Sequence, residues 1–187
     1  MELETKYNIH PLLEKRWSPR AFSPKPVTEE DVNEIFSGAS WAPSAMNEQP
    51  WQYVYALRGT SGFDALWDCL ATGNQPWTKN AAVLFVALQR NTYEKNGRLN
   101  KLAMHDVGMA NAQLLLQAGA KDIYGHLMGG FENDKVIEVL NLDENVSPVC
   151  MGALGYLGNA DSLEEPYRSR EKAPRTRKSL EEFVRRL

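Results

Sequence analysis

Cysteine and histidine, the residues that build most disulfide and zinc sites, are scarce in this sequence. Its 187 residues include two cysteines and three histidines. Cys69 and Cys150 form no CxxC pair, and His10, His105 and His126 lack the spacing of metal ligands. Two thiols outside any such pattern are typical of a reducing compartment. We therefore expect neither a metal centre nor a disulfide framework.

Long apolar runs and an excess of positive charge are also missing. No run approaches the roughly 20 apolar residues of a membrane-spanning helix, and the first four residues, MELE, are acidic where a secretory signal would be basic. The formal net charge of -3 provides no general basic field for nucleic acid. We expect a cytoplasmic protein that binds neither membrane nor nucleic acid. One alternative remains, because six cations lie between residues 168 and 178 and could form a nucleic-acid tail.

The motifs of several enzyme classes are absent too. There is no GxSxG of a hydrolase. Gly152, Gly155 and Gly158 form GxxGxxG instead of the GxGxxG of a dinucleotide site, so they predict tight strand packing. His105 and Asp106 are adjacent and are expected to form a structural pair. No acid–base pair stands out in the sequence either.

Arginine is concentrated at two distant places in the chain. Arg16 and Arg20 lie near the start, and Arg175 and Arg177 lie near the end. A guanidinium group presents a planar fork of donors that binds phosphate oxygens two at a time. Either pair alone could form surface ion pairs, but together the two places predict a phosphate site.

A polar loop precedes the first apolar segment. It carries Pro43, Ser44, Asn47 and Gln49, and the apolar segment begins at Trp51. Serine and side-chain amides suit a heterocycle edge that both donates and accepts hydrogen bonds, although they can also satisfy loop backbone. With the arginines, this loop predicts a cofactor that has one phosphate tail and one planar, polar head.

Apolar periodicity predicts helices and strands without regular alternation, which favours an α+β fold. Thr28 is a predicted N-cap, and Ser179 with Glu182 forms a capping box that predicts a final helix. Other helices are predicted at residues 6–15, 62–71, 99–118 and 134–140, and strands at 51–57, 81–89 and within 147–157.

The size and the tail of the chain indicate one domain in an oligomer. We expect a single domain over residues 1–187. The helix at 99–118 is apolar on several faces, which predicts burial in a subunit interface. The polar stretch from 164 to 178 is expected to pack across another subunit.

Four sequence motifs in this order resemble the nitroreductase family, and the resemblance runs from about residue 15 to about 184. The motifs are Arg16-x-Ser18-x-Arg20-x-Phe22, Ala42-Pro43-Ser44-x-x-Asn47-x-Gln49-Pro50-Trp51, Met128-Gly129-Gly130-Phe131 and Arg175-x-Arg177. The resemblance implies a central mixed or antiparallel sheet flanked by helices. It also implies an intertwined homodimer with FMN at the interface and the C-terminal tail on the partner.

The resemblance also implies an activity. Family members use NADH or NADPH to reduce the flavin, which then reduces nitroaromatics, quinones or related acceptors in ping-pong fashion. The alternative is a non-catalytic flavin-binding or carrier module. The residues that the resemblance assigns to the cofactor are Arg16, Trp17, Ser18, Arg20, Pro43, Ser44, Asn47, Gln49, Asn74, Gly129, Gly130, Arg175 and Arg177.

The implied roles of these residues follow the parts of FMN. The phosphate and ribityl chain would be held by Arg16, Ser18, Arg175 and Arg177, beside Trp17, where the family often has a basic residue. Arg20, Asn74 and Gln49 would lie against the edges of the flavin ring. Gly129 and Gly130 would bring their backbone close to the flavin N5 atom. The partner subunit would supply Pro43, Ser44 and Asn47. Apart from the resemblance, Trp41 and Trp77 are expected first of all in the core or in a cavity wall, and they are the candidates for flanking the flavin.

Overall fold

The computed structural model describes residues 7–187, in which eleven helices and strands are joined by short loops. In chain order they are α1 Pro11–Lys15, α2 Glu29–Ala39, β1 Trp51–Leu57, α3 Ser61–Asp68, α4 Gln75–Thr78, β2 Val83–Arg90, α5 Ala103–Ala120, β3 Tyr124–Met128, α6 Asn133–Leu140, β4 Val146–Gly155 and α7 Tyr167–Lys172. Single 3-10 turns lie at Ala45–Asn47, Ala160–Ser162 and Leu180–Glu182. Among the described residues, no helix is both long and apolar enough to span a membrane.

The four strands form one antiparallel sheet in the order β1-β2-β4-β3. Central β2 carries the apolar run that the sequence predicted, and Trp51 of β1 faces Gln89 of β2. Strand β3 lies at one edge and was not predicted. It is five residues long and contains Gly125 and His126, so it lacks the β-branched run that marks a strand.

Two apolar layers cover the two faces of the sheet, because successive side chains of β2 point to opposite sides. Helices α2 and α5 pack on one face, and α3, α6 and the segment after β4 cover the other. The β2 side chains toward α2 and α5 are Val83, Phe85 and Ala87, and those on the other face are Leu84, Val86 and Leu88. This arrangement confirms the predicted α+β class.

The glycines at the end of β4 and just after it are packing positions, as predicted. A Cβ on Gly152 would lie 2.2 Å from the Phe85 ring, and one on Gly155 would lie 2.8 Å from Phe22. A Cβ on Gly158 would lie 2.6 Å from the backbone of Phe22. These close approaches let the segment around Phe22 lie against the end of the sheet.

Helix α5 buries the predicted stripe but not its whole circumference. Val107, Ala110 and Leu114 are fully buried, whereas Leu102, just before the helix, and Met104 are exposed. The expectation of burial on all sides therefore fails within the protomer. The exposed face stays a predicted subunit interface.

The ends of the chain differ from the sequence prediction. Helix α1 begins at Pro11, after a His10 cap, instead of at residue 6, which lies outside the described residues. The tail contains the unpredicted helix α7. The predicted final helix is only one 3-10 turn. Glu182 accepts the Ser179 N–H at 2.6 Å, but no buried residue of that turn supports a longer helix.

Candidate functional site

The two arginine-rich places meet in the fold. They line a cavity of about 270 Å³ between the segment after α1 and the segment after α7. The residues around it are Arg16, Trp17, Ser18, Arg20, Arg170, Glu171, Ala173, Pro174, Arg175 and Arg177. Six of the predicted site residues thus share one cavity, although the two groups are separated by most of the chain.

The charge in this cavity is strongly positive. The pKa of the Arg16 guanidinium is lowered by burial and by the neighbouring charges of Arg177 and Arg175. Burial also lowers the pKa of Arg20. Within residues 7–187, no carboxylate oxygen lies within 4.0 Å of a guanidinium nitrogen of these four arginines. Clustered cations without a carboxylate partner are suited to a multiply charged anion.

Two side chains of the C-terminal segment bind the backbone of the N-terminal one. Glu171 accepts the N–H of Arg20 at 2.8 Å and that of Ala21 at 2.9 Å. Arg175 donates from Nη1 to the carbonyl of Glu14 at 2.7 Å and to that of Arg16 at 3.4 Å. These contacts bring the two halves of the cavity together.

The aromatic rings of Trp77 and His126 lie in a row next to Arg20. The Arg20 Cζ lies 5.9 Å from the centroid of the Trp77 ring, and Trp77 lies 4.6 Å from His126. The His126 Nδ1 is 3.0 Å from the carbonyl oxygen of Pro19. Burial, with a contribution from Arg20, lowers the pKa of His126 to about 4. The imidazole is therefore neutral at neutral pH. Through its contacts to Trp77 and to the Pro19 carbonyl, it helps to position residues 16–20, the arginine segment.

The two tryptophans that were candidates for flanking a planar head occupy different environments. Trp77 is 2% exposed and packs in the core against Phe22. Trp41 is 86% exposed and lines a surface cavity with Leu12 and Leu116, on the α1–α2–α5 side. Neither tryptophan lines the arginine cavity of its own protomer.

The glycine turn after β3 contacts Asn74. The Asn74 Nδ2 donates to the Gly130 carbonyl at 2.9 Å, and a Cβ on Gly130 would lie 2.9 Å from the same nitrogen. A Cβ on Gly129 would meet no atom within 4 Å. A side chain at Gly130 would therefore displace the Asn74 amide from this contact. Gly129 faces open space, which leaves room for a ligand or a partner.

The polar loop is held in an unusual backbone conformation. Met46, Asn47 and Gln49 all have positive φ, between 51° and 57°. The Ser44 Oγ accepts the Gln49 N–H at 3.0 Å. Asn47 and Gln49 are exposed, as is Pro43, and none of them lines the arginine cavity of the same protomer. Such left-handed residues carry strain that the surroundings must support.

Two acidic residues support these segments through contacts that the sequence did not reveal. Besides Glu171, the buried Asp106 accepts the Ala45 N–H at 2.9 Å and lies 2.9 Å from the His105 Nδ1. The expected structural pair of His105 and Asp106 is present, and it also anchors the loop. Neither carboxylate belongs to a motif, because each binds backbone N–H groups that any residue type provides.

The sequence profile of the Nitroreductase family matches residues 13–68 and 63–156, which include the arginine segment, the polar loop and the glycine turn. The chain belongs to the nitroreductase family. It is 32% identical to a solved oxidoreductase containing FMN, with a TM-score of 0.92 over 97% of this chain and 92% of that one. It is 26% identical to a protein of Archaeoglobus fulgidus provisionally named NADH dehydrogenase/NAD(P)H nitroreductase, over 75% of this chain and 80% of that protein.

Another solved structure shares the nitroreductase fold at lower identity. A nitroreductase family protein of Streptococcus pneumoniae TIGR4 is 21% identical, with a TM-score of 0.77 over 94% of this chain and 98% of the other. Membership of the nitroreductase family identifies the chain as an oxidoreductase and confirms the predicted fold. The assignment of individual residues to a cofactor stays a prediction.

Proposed function

We propose that this nitroreductase family chain is a single-domain, FMN-dependent NAD(P)H oxidoreductase. It would reduce nitroaromatics, quinones or related acceptors in two half-reactions at one bound flavin. The observation that carries the proposal is the cavity in which Arg16, Arg20, Arg175 and Arg177 converge without an ion-paired carboxylate among the described residues. The similar oxidoreductase that contains FMN supports the same cofactor.

The arginine cavity fits the phosphate end of FMN. A phosphate monoester carries nearly two negative charges at neutral pH and three acceptor oxygens. Arg16 and Arg177 would donate to it. Burial and then repulsion from Arg177 and Arg175 lower the pKa of Arg16, and the bound phosphate would relieve that repulsion. Arg175 already donates to two carbonyls, so its main contribution is to fix the segment. Ser18 is exposed at the cavity and would add a hydroxyl donor.

The flavin supplies hydride chemistry when it is bound, and the chain positions it. Arg20 lies at the end of the cavity toward Trp77 and would stabilise negative charge at the pyrimidine edge. Gly129 offers an open backbone position for a planar ring. The Asn74 amide holds the glycine turn in place through Gly130. The side chains would thus bind and orient the cofactor.

The polar loop supports a second part of the proposal, a homodimer. Pro43, Asn47 and Gln49 are exposed and lie outside the arginine cavity of their own protomer. We propose that this loop, with Ser44, completes the flavin site of the partner. Glu171 and Arg175 bind their own protomer, but the end of the C-terminal tail would pack on the partner as well, since Phe183 and Val184 are exposed.

The cationic tail favours a small anion over nucleic acid. Arg168 forms an ion pair with Glu165, and Lys172 pairs with Asp161. Arg175 and Arg177 line the cavity. The run therefore does not form one solvent-facing cationic stripe, which an extended polyanion would need.

A visible spectrum of the purified protein, before and after FMN is added, tests the cofactor. We expect bound-flavin absorbance and bleaching of that absorbance by NADH or NADPH under anaerobic conditions. Addition of a quinone or nitroaromatic should restore the colour. Protein that stays colourless after incubation with FMN would contradict the proposal. Binding of FMN without NAD(P)H oxidation would favour the alternative, a non-catalytic flavin-binding module.

A further inference from the structure

Glu171 holds two consecutive backbone N–H groups with one carboxylate. Oε2 accepts from Arg20 at 2.8 Å, and Oε1 accepts from Ala21 at 2.9 Å. The acceptor residue lies 151 and 150 positions away along the chain. Hydrogen bonds to an ionised acceptor are shorter and stronger than neutral ones. This bridge therefore ties the last turn of α7 firmly to the arginine segment.

The carboxylate lies inside the arginine cavity but forms an ion pair with none of the guanidinium groups at its rim, as far as residues 7–187 show. Its two oxygens are directed to backbone instead. A negative charge here opposes the binding of an anion. Its presence in the cavity calls for a structural reason that outweighs this electrostatic cost.

The reason lies in the mutual repulsion of the arginines. Arg16 experiences the charges of both Arg175 and Arg177, and these two residues belong to a tail in which no residue after 171 is buried. Without an attachment, repulsion would move the tail away from the arginine segment. The Glu171 bridge and the Arg175 contacts to the Glu14 and Arg16 carbonyls oppose that movement.

We propose that Glu171 is a positioning residue that keeps the two arginine groups assembled before a phosphate arrives. The inference rests on the proposed function, since it concerns the phosphate end of that site. Glu171 contacts backbone and would act on the anion through Arg175 and Arg177. The apparent affinity of a site falls with the fraction of molecules in the binding-competent form, so loss of the bridge would weaken anion binding.

A purely electrostatic role of Glu171 and a positioning role predict opposite effects of Glu171→Gln on the affinity for FMN. If the carboxylate were only an unfavourable charge, its neutralisation would tighten the binding of FMN. If it positions the tail, the amide can accept one N–H but directs its own donors at the other, and FMN should bind about tenfold more weakly. Glu171→Asp keeps the charge but is one methylene shorter, and it should weaken binding as well.

Titration of wild type and variants with FMN and with riboflavin, which lacks the phosphate, tests the inference. Glu171→Gln and Glu171→Asp should bind FMN more weakly than the wild type does. They should bind riboflavin as tightly as the wild type does. Glu181→Gln, an exposed neutralisation in the same tail, should behave as wild type. Equal or tighter FMN binding by Glu171→Gln overturns the inference, as does an equal loss for both flavins. A wild type that binds no FMN would refute the proposed function instead.

Limited trypsin digestion without flavin gives a second, independent measurement. The tail contains Arg175, Arg177 and Lys178 as cleavage sites. We expect Glu171→Gln to be cut there several-fold faster than wild type or Glu181→Gln, because the undocked tail is open to protease. FMN should slow the cleavage of Glu171→Gln. Equal cleavage of all three proteins without FMN would overturn the inference.

Discussion

At the scale of single residues, the arginines of the cavity differ in the backbone carbonyl groups to which they donate hydrogen bonds. Arg175 binds two carbonyl groups of the N-terminal segment, whereas the Arg177 guanidinium donates to the adjacent carbonyl of Thr176 at 2.7 Å. The Arg177 side chain therefore joins no distant parts of the fold in these contacts. Its substitution isolates the effect of charge on ligand binding.

Arg177→Ala should weaken FMN binding about tenfold to a hundredfold, because a hydrogen bond to a charged group contributes about 1.5–3 kcal/mol. The free energy of unfolding should stay close to that of wild type. Fluorescence titration and urea denaturation measure the two quantities. Arg186→Ala, an exposed arginine of the same tail, serves as the control. An unchanged FMN affinity in Arg177→Ala would show that the phosphate lies elsewhere.

His126 should make stability depend on pH. Its pKa is lowered from 6.5 to about 4 in the folded protein, so the unfolded chain binds more protons between these values. Stability should fall as pH drops from about 6.5 to 4, by roughly 3 kcal/mol in total. Above pH 6.5 this residue should not contribute to the pH dependence of the free energy of unfolding. Urea denaturation at several pH values should give a flatter profile for His126→Gln, and an identical slope would contradict the assignment.

At the scale of structural elements, α5 anchors the polar loop. Asp106 lies in the first turn of α5, and its Oδ2 accepts the Ala45 N–H at the start of the loop's 3-10 turn. Three non-glycine residues in the left-handed region follow within the next four positions. The loop conformation is therefore supported from outside the loop.

Asp106→Ala should destabilise the protein by about 2 kcal/mol, the scale of a charge-assisted hydrogen bond. It should also speed amide hydrogen exchange at residues 45–49, because the strained backbone loses its attachment. Urea denaturation and exchange mass spectrometry measure these effects. Glu138→Ala, on the exposed face of α6, is the control. Normal exchange in the loop of Asp106→Ala would refute the anchoring role.

Long elements were predictable and short ones were not. Strands β1 and β2 and helices α2, α5 and α6 follow from apolar periodicity, since each has a buried face that repeats along the chain. Strand β3 and helices α4 and α7 were missed. They have five, four and six residues and depend on neighbours that are distant in sequence. The capping box at Ser179 predicted a helix, but a cap without a buried face yields only one turn.

At the scale of the whole molecule, large apolar side chains remain exposed on the protomer. Trp41 and Met46 are each 86% exposed, and Phe183 is 67% exposed. Trp41 shares a surface cavity with Leu12, Leu13 and Leu116, and contiguous apolar surface of this kind is typical of an interaction face. Together with the open face of α5, it supports the proposed homodimer.

Sedimentation velocity should give a species of twice the 21.1-kDa chain mass. Trp41→Ser should shift it toward the monomer, because the substitution removes apolar surface that the protomer itself does not bury. Far-UV circular dichroism should be unchanged and serves as the check on folding. A wild-type protein that sediments as a monomer at micromolar concentration would contradict the dimer.

Local chemistry in the chain was enough to predict the α+β fold and a cofactor enzyme, and the phosphate site made of arginine stays a prediction. These conclusions follow from side-chain type and short-range periodicity, which the chain displays directly. The folded structure alone revealed that Glu171 bridges to Arg20 and Ala21 and that Asp106 anchors the polar loop. Such contacts join residues far apart in the chain, and a carboxylate that binds backbone leaves no pattern in the residues it binds.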